Sequence, residues 1–438
     1  MPEAKIEETV CEDRISALPE DLLVTILLLV PIRDAVATML LSKRWRFIWM
    51  MLPRLDYKES SDNDNDPSKK SIWWFFDKSM ELHKAPILEV LLIKLGPGCP
   101  SDADVGKWLT KAVDRQVGVL KFELCWSTGP TRLPKSLYTC ETLKELTLSH
   151  NILVDFPSFA CLPSLSTLEL FYVVYKDEAS LFRFLSSCPV LDLLDVKRNT
   201  KHHDNVNKFS VKVPSLQFFW YENCDYTSLP DTARCLTIDT PALIDFIIAD
   251  YSRDSWSFEN IPCLEKAFFD VRSFPDIDKS KTSISGVLSL TLFMMTNEAV
   301  LVRCSTINFS RLIKLTIYPH NSDWLEPLLP LLENAPNLKD LLVTYECTVW
   351  PRDRIPLSWN QPCSVPRCML SHLEIFEYRK YGAREEEEEF LTYIFANSKC
   401  LKTVTISVKP SSVLGKKELI IEELRNIPRV STSQLLLF

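Results

Sequence analysis

The sequence predicts an α+β chain with a short, wholly helical segment at the front and a long α/β array of repeats behind it. Two observations predict this. An apolar-x-x-apolar-x-apolar pattern recurs from Val119 almost to the end of the 438 residues. Residues 13–49, by contrast, carry apolar side chains at helical spacing on both sides of Pro31.

The repeats organise most of the chain. Copies begin at Val119/Phe122/Leu124, Leu143/Leu146/Leu148, Leu165/Leu168/Leu170 and Leu191/Leu194/Val196, and continue in the same form to Leu401/Val404/Ile406. Their spacing suits leucine-rich repeats, which run about 20–29 residues each. In six copies Pro-x stands immediately before the leading Leu, at Pro163, Pro189, Pro214, Pro241, Pro262 and Pro336. Proline fixes φ and cannot continue a helix, so it marks where one repeat's outer segment ends and the next strand begins. The first, fourth and sixth residues of each strand should be buried, and neighbouring repeats must stack to cover them. The third and fifth positions should face the concave side. They are polar in several copies but apolar at Phe218, Trp220, Ile247 and Phe268, which form either core buried by irregular repeats or a covering loop, or a candidate target-binding patch.

The front segment has a different design. Pro19, Glu20 and Asp21 suit the first turn of a helix. Leu22, Leu23, Ile26, Leu27 and Val30 then form one broad apolar face, ended by Pro31. A second helical stretch covers 34–41, and Ser42 offers an N-cap for a third around Trp45, Ile48 and Trp49. So few residues cannot build much of a core, so part of this apolar surface should be left for another protein or for the adjoining domain.

The stretch ISALPEDLLVTILLLVPIRDAVATMLLSKRWRFIW resembles the F-box family, with its Leu-Pro, paired Leu, Ile-Leu, second Pro and Lys-Arg-Trp. That resemblance implies a Skp-family adaptor as partner, and through it a cullin and a RING subunit. It implies adaptor contacts at Leu18, Pro19, Leu22, Leu23, Ile26, Leu27, Pro31, Ala35 and Val36, with Trp45 as the structural Trp; Leu28 departs from the usual polar residue. The segment WNQPCSVPRCMLSHLEIFEYRKYGAREEEEEFLTYIFANSKCLKTVTIS resembles the FBD domain that closes many plant F-box/leucine-rich-repeat proteins. The expected architecture is therefore a disordered tail at 1–11, a three-helix F-box at 12–55 and a polar linker at 56–72. A leucine-rich-repeat solenoid at 73–355 and an FBD-like segment at 356–438 continuing the array follow. The aromatic cluster at 73–76 reads as a cap over the first repeat, and the acidic run 385–389 as the solvated first turn of a helix.

Composition excludes several functions. A net charge of -8 opposes a phosphate backbone, so nucleic acid is not an expected partner. The polar, acidic start is unlike a secretory signal. The longest apolar run, 22–31, is about half the ~20 residues a membrane span needs. An intracellular protein, cytoplasmic or nuclear, is the resulting expectation. Its fourteen cysteines then read as reduced thiols, with Cys161, Cys188 and Cys263 as small core residues before strands.

No catalytic constellation emerges either. His202, His203 and Asp204 share a polar loop, Cys363 and Cys368 lack nearby histidines, and the LGKKE sequence at Leu414 is an incomplete phosphate loop. Neither a metal, a cofactor nor a catalytic residue is expected. The reading that results is a non-catalytic target-recognition subunit of a Skp-cullin-F-box ubiquitin ligase. The alternative is a leucine-rich-repeat scaffold without ligase-linked degradation; an enzyme with an unfamiliar site is the third class.

Overall fold

The computed structural model describes residues 15, 17–58, 72–96, 104–125, 129–150, 152–198, 206–224, 234–252, 254–272, 283–294, 299–320, 324–345, 364–409 and 416–438. The tail expected at 1–11, the His202–His203–Asp204 group, Cys363 and Leu414 lie outside them. The chain divides into two compact units, residues 1–153 and 154–438.

The first unit opens with three short helices, α1 (Glu20–Leu27), α2 (Ile32–Ala37) and α3 (Trp45–Ile48). Pro19 and Pro31 stand at the N-caps of α1 and α2, where a missing N–H costs nothing. Glu20 and Asp21 fill the first turn of α1, favourable against its dipole. Ser42 Oγ accepts the backbone N–H of Trp45 at 3.4 Å, but the N-cap of α3 is Arg44, not Ser42. The second helical stretch is shorter than expected, because α2 passes into a tighter 3-10 turn at Thr38–Leu40.

Parallel strands follow directly. Arg54–Lys58 pairs with Val90–Leu95, which pairs with Val119–Leu124, which pairs with Glu145–Ser149. Leu55 aligns with Leu91 and Leu120, and Tyr57 with Ile93 and Phe122, all buried. Two copies of the repeat, led by Leu52 and Leu88, thus precede those read from the sequence. The boundary drawn after residue 55 falls inside a strand, and Asp56–Lys58 is not linker.

The copy read as Val119/Phe122/Leu124 is also out of frame. Leu120 pairs with Leu146 and Phe122 with Leu148, so the leader is the buried Val117, while Val119 lies half-exposed on the opposite face. Side chains alternate with a period of two, so a frame shifted by two residues still matches the apolar positions.

Helices α4 (Ile72–Leu82) and α5 (Val105–Asp114) back these strands. Of the 73–76 aromatics only Phe76 is fully buried, edge-on to Tyr57 at 4.8 Å and to Trp108 at 4.7 Å; Trp74 is exposed. His83 joins the helices to the repeats. Its Nε2 lies 2.9 Å from the Leu52 carbonyl, and Arg115 reaches its Nδ1 at 2.6 Å. Burial holds its pKa down to about 4, so the neutral ring donates from Nε2 and accepts at Nδ1.

In the second unit the same strand recurs in parallel register from Thr167–Phe171 through Leu193–Arg198, Phe218–Asn223, Asp245–Asp250, Lys266–Val271, Ser289–Met294, Lys314–Pro319 and onward to Gln434–Leu437. Behind the middle repeats lies a second parallel sheet, Lys208–Lys212, Cys235–Asp239 and Ser255–Asn260. It packs rings such as Phe258 edge-on against Phe246 at 5.4 Å. Helices, including Glu178–Ser186 and Glu385–Asn397, occupy this position in other repeats.

The prolines work as expected, with an added regularity. Each stands second in a four-residue turn, in which the preceding residue's carbonyl accepts the N–H of the leading Leu, as from Leu162 to Leu165 at 3.2 Å and Thr240 to Leu243 at 3.0 Å. The residue before each proline (Leu162, Cys188, Val213, Thr240, Ile261 or Ala335) is buried. This corrects the reading of the cysteines. Cys188 holds that position and is core, whereas Cys161 falls one residue before it and Cys263 two residues after it in their turns, and both are exposed.

The acidic run also needs correcting, because Glu387 within it is fully buried rather than solvated. Among the described residues, no helix is long and apolar enough to cross a membrane.

Candidate functional site

In the first unit, the apolar face of α1 splits in two. Leu23 and Leu27, one turn apart, point inward and are 0% and 3% exposed; Ala35 of α2 is buried with them. Leu22 and Ile26, the neighbouring pair, point outward at 49% and 39%. Leu29, Leu40 and Leu41 are more open still, at 83%, 85% and 68%.

Of the nine adaptor contacts inferred from the motif, the structure therefore exposes Pro19, Leu22, Ile26 and Pro31 and leaves Leu18 and Val36 half-exposed. It gives Leu23, Leu27 and Ala35 a packing position, with no surface for a partner, because a short helix can cover its own core only with one of its two apolar rows. Leu29, Leu40 and Leu41 were missed as candidates, although their place among apolar neighbours with no second helical row to bury them was a signal. Trp45 is buried, as a structural residue should be. Beside this surface lies a groove of about 400 Å³ lined in part by Glu20, Phe47, Met51 and Ile87.

In the second unit, the four candidate target-binding residues lie on adjacent strands. Trp220 aligns with Ile247 and Ile247 with Phe268, forming a continuous row, while Phe218 sits two residues before Trp220 on the same face. Trp220 is exposed and the other three are half-exposed, so the face is open and none of them is core. The row continues the other way to Asp195 and Glu169. Burial raises the Asp195 pKa to about 6, Lys197 opposing and Glu169 and Glu222 adding to the rise.

Sequence reasoning missed Phe293 and Tyr318, at the seventh position of their repeats. Phe293 stacks with Phe268 at 6.5 Å and meets Tyr318 at 5.1 Å, extending the aromatic ridge over two further strands. Aligning the copies on their leading residues would have revealed them. An open, rigid face of aromatic rings with acidic groups at one flank can hold an apolar segment carrying basic residues.

Comparison with known proteins follows this division. Residues 15–57 match the F-box domain, residues 105–232 the LRR repeats of the FBD-associated F-box protein At5g56370, and residues 361–406 the FBD domain. The chain is 55% identical to the Arabidopsis thaliana FBD-associated F-box protein At1g05080, over the full length of both. It is 38% identical to the F-box/FBD/LRR-repeat protein At5g56420 of the same plant, covering 97% of this chain and 99% of that one. With those three domains in that order and full-length relatives of the same build, the chain belongs to the plant F-box/FBD/LRR-repeat family.

Proposed function

We propose that this chain is the non-catalytic target receptor of a Skp-cullin-F-box ubiquitin ligase, acting in the cytoplasm or nucleus. The observation that carries the reading is the exposure of five large apolar side chains, Leu22, Ile26, Leu29, Leu40 and Leu41, on the segment that matches the F-box domain. Leaving so much apolar surface in water is unfavourable, and a Skp-family adaptor would cover it. The open face around Phe218, Trp220, Ile247 and Phe268 would hold the target. Cullin and RING subunits join through the adaptor, and the receptor contributes by proximity: a target held near a charged carrier reacts at a raised effective concentration. That role needs no nucleophile or base from this chain.

The test is co-purification of the full chain with a Skp-family adaptor. Wild type should retain it. Leu22→Asp combined with Ile26→Asp should lose it while the circular dichroism spectrum stays unchanged, because neither side chain is core. Retention of the adaptor by the folded double variant would favour the scaffold reading, as would a wild type that captures none.

A further inference from the structure

At the C-terminal ends of three adjacent strands of the first unit, side chains from separate parts of the sequence converge. Lys94, Glu123 and Ser149 align in register, and Cys125 and His150 follow just beyond the strand ends. The outer ends of parallel strands are where open α/β sheets hold ligands.

Glu123 Oε1 is the hub. Cys125 Sγ lies 3.3 Å from it and His150 Nδ1 3.8 Å. The ligand atoms of the three residues all lie within 4.8 Å of one another. In a tetrahedral zinc site, bonds of about 2.0–2.3 Å place neighbouring ligand atoms roughly 3.3–3.7 Å apart. The two distances to Glu123 already bracket that spacing, so only small side-chain rotations separate the cluster from a coordination shell. All three residues are half-buried and reachable from solvent.

We propose that Glu123, Cys125 and His150 form a binding site for a divalent cation of the zinc class, with its fourth position open to water or to a bound partner. Thiolate, imidazole and carboxylate together select zinc over magnesium or calcium, which prefer all-oxygen shells. Existing contacts must adjust, two of them at Glu123 and His150. Lys94 Nζ pairs with Glu123 Oε1 at 3.0 Å and would move to the second carboxylate oxygen. Ser149 Oγ lies 2.7 Å from His150 Nδ1 and would give up that hydrogen bond. On binding, the Cys125 S–H bond breaks, its proton passes to solvent, and the thiolate sulfur bonds the metal. This departs from the expectation of a metal-free chain, which rested on spacing along the sequence.

The test titrates the metal-free full chain under reducing conditions with Co²⁺ and then Zn²⁺. One equivalent of Co²⁺ should give a sulfur-to-cobalt charge-transfer band that Zn²⁺ abolishes, with about one proton released. Cys125→Ser should remove the band, and His150→Ala should weaken binding about tenfold or more. Cys263→Ser, an exposed thiol elsewhere, should leave both unchanged. A wild type without a saturable band overturns the proposal. So does a band that survives Cys125→Ser, or, if that variant fails to fold, affinity that is unchanged in His150→Ala.

Discussion

Tyr378 donates its phenolic hydrogen to Glu387 Oε1 at 2.8 Å, and both side chains are fully buried. The other carboxylate oxygen accepts the backbone N–H groups of Gly382 and Arg384, each at 3.1 Å. One side chain from the helix Glu385–Asn397 thus fixes the strand Ile375–Tyr381 and the turn after it, where Ala383 takes a left-handed backbone. Gly382 leaves room for the carboxylate, since a Cβ there would come within 3.1 Å of Oε2.

Glu387→Ala should therefore destabilise the FBD-matching segment by about 2–4 kcal/mol, because it strands the buried Tyr378 hydroxyl and also removes the acceptor of two part-buried backbone N–H groups. Urea unfolding would measure this, with Glu386→Ala, a neighbour in the same acidic run, changing stability by under about 0.5 kcal/mol. Equal effects of the two would mean that the run is a solvated face after all.

The aromatic ridge makes a different prediction. Trp220 is 39% exposed on the face opposite the core, so Trp220→Ala should cost little stability, under about 1 kcal/mol. Combined with Phe268→Ala it should cut target capture about tenfold or more, since large rings at the centre of an interface carry a disproportionate share of its energy. Proximity labelling in a chain already uncoupled from its adaptor would read this out. Undiminished labelling by the folded variant would move the target site elsewhere.

Asp195 gives that face a pH signature. Its folded-state pKa is raised, mainly by burial, from 3.8 to about 6. Between those values the folded chain holds a proton that the unfolded chain has released, so stability falls as pH rises through that window. Asp195→Asn should remove this decline, a difference of at most about 1 kcal/mol once screening by water is allowed for. Unfolding midpoints across the window would show a sloping wild type and a flatter variant. Parallel curves would mean that the carboxyl titrates normally.

Local periodicity made much of this fold readable and also limited the reading. Leucines at the first, fourth and sixth positions, with proline two residues ahead, form short-range patterns that each repeat states for itself. The frame slip at Val119 shows the weakness of a period of two: apolar residues at 120, 122 and 124 satisfy two frames equally well, and only pairing with Leu146 and Leu148 chooses. The helical spacing of α1 identified an apolar face but could not say which row is covered, because that depends on the position of Ala35 and the later helices. Glu387 looked like its four neighbours until its partners arrived from a different strand. The Glu123, Cys125 and His150 cluster was illegible for the same reason, its members lying at the ends of neighbouring strands with unremarkable spacing.

The turns that begin the repeats offer the sharpest test of register. In five of the six proline turns the buried residue before proline is apolar or a cysteine, and in the sixth it is Thr240, fully buried. Its hydroxyl has no hydrogen-bond partner among the described residues. A buried hydroxyl without a partner costs free energy that a methyl group of the same size does not. Thr240→Val should therefore stabilise the chain by about 1 kcal/mol, raising the thermal midpoint by roughly 2 °C if the repeats unfold as one unit. Val is already the residue at the equivalent position 213, so the backbone of the turn accommodates it. If Thr240→Val instead lowers the midpoint, the hydroxyl is holding something in place, and the equivalence of the six turns breaks down at this repeat.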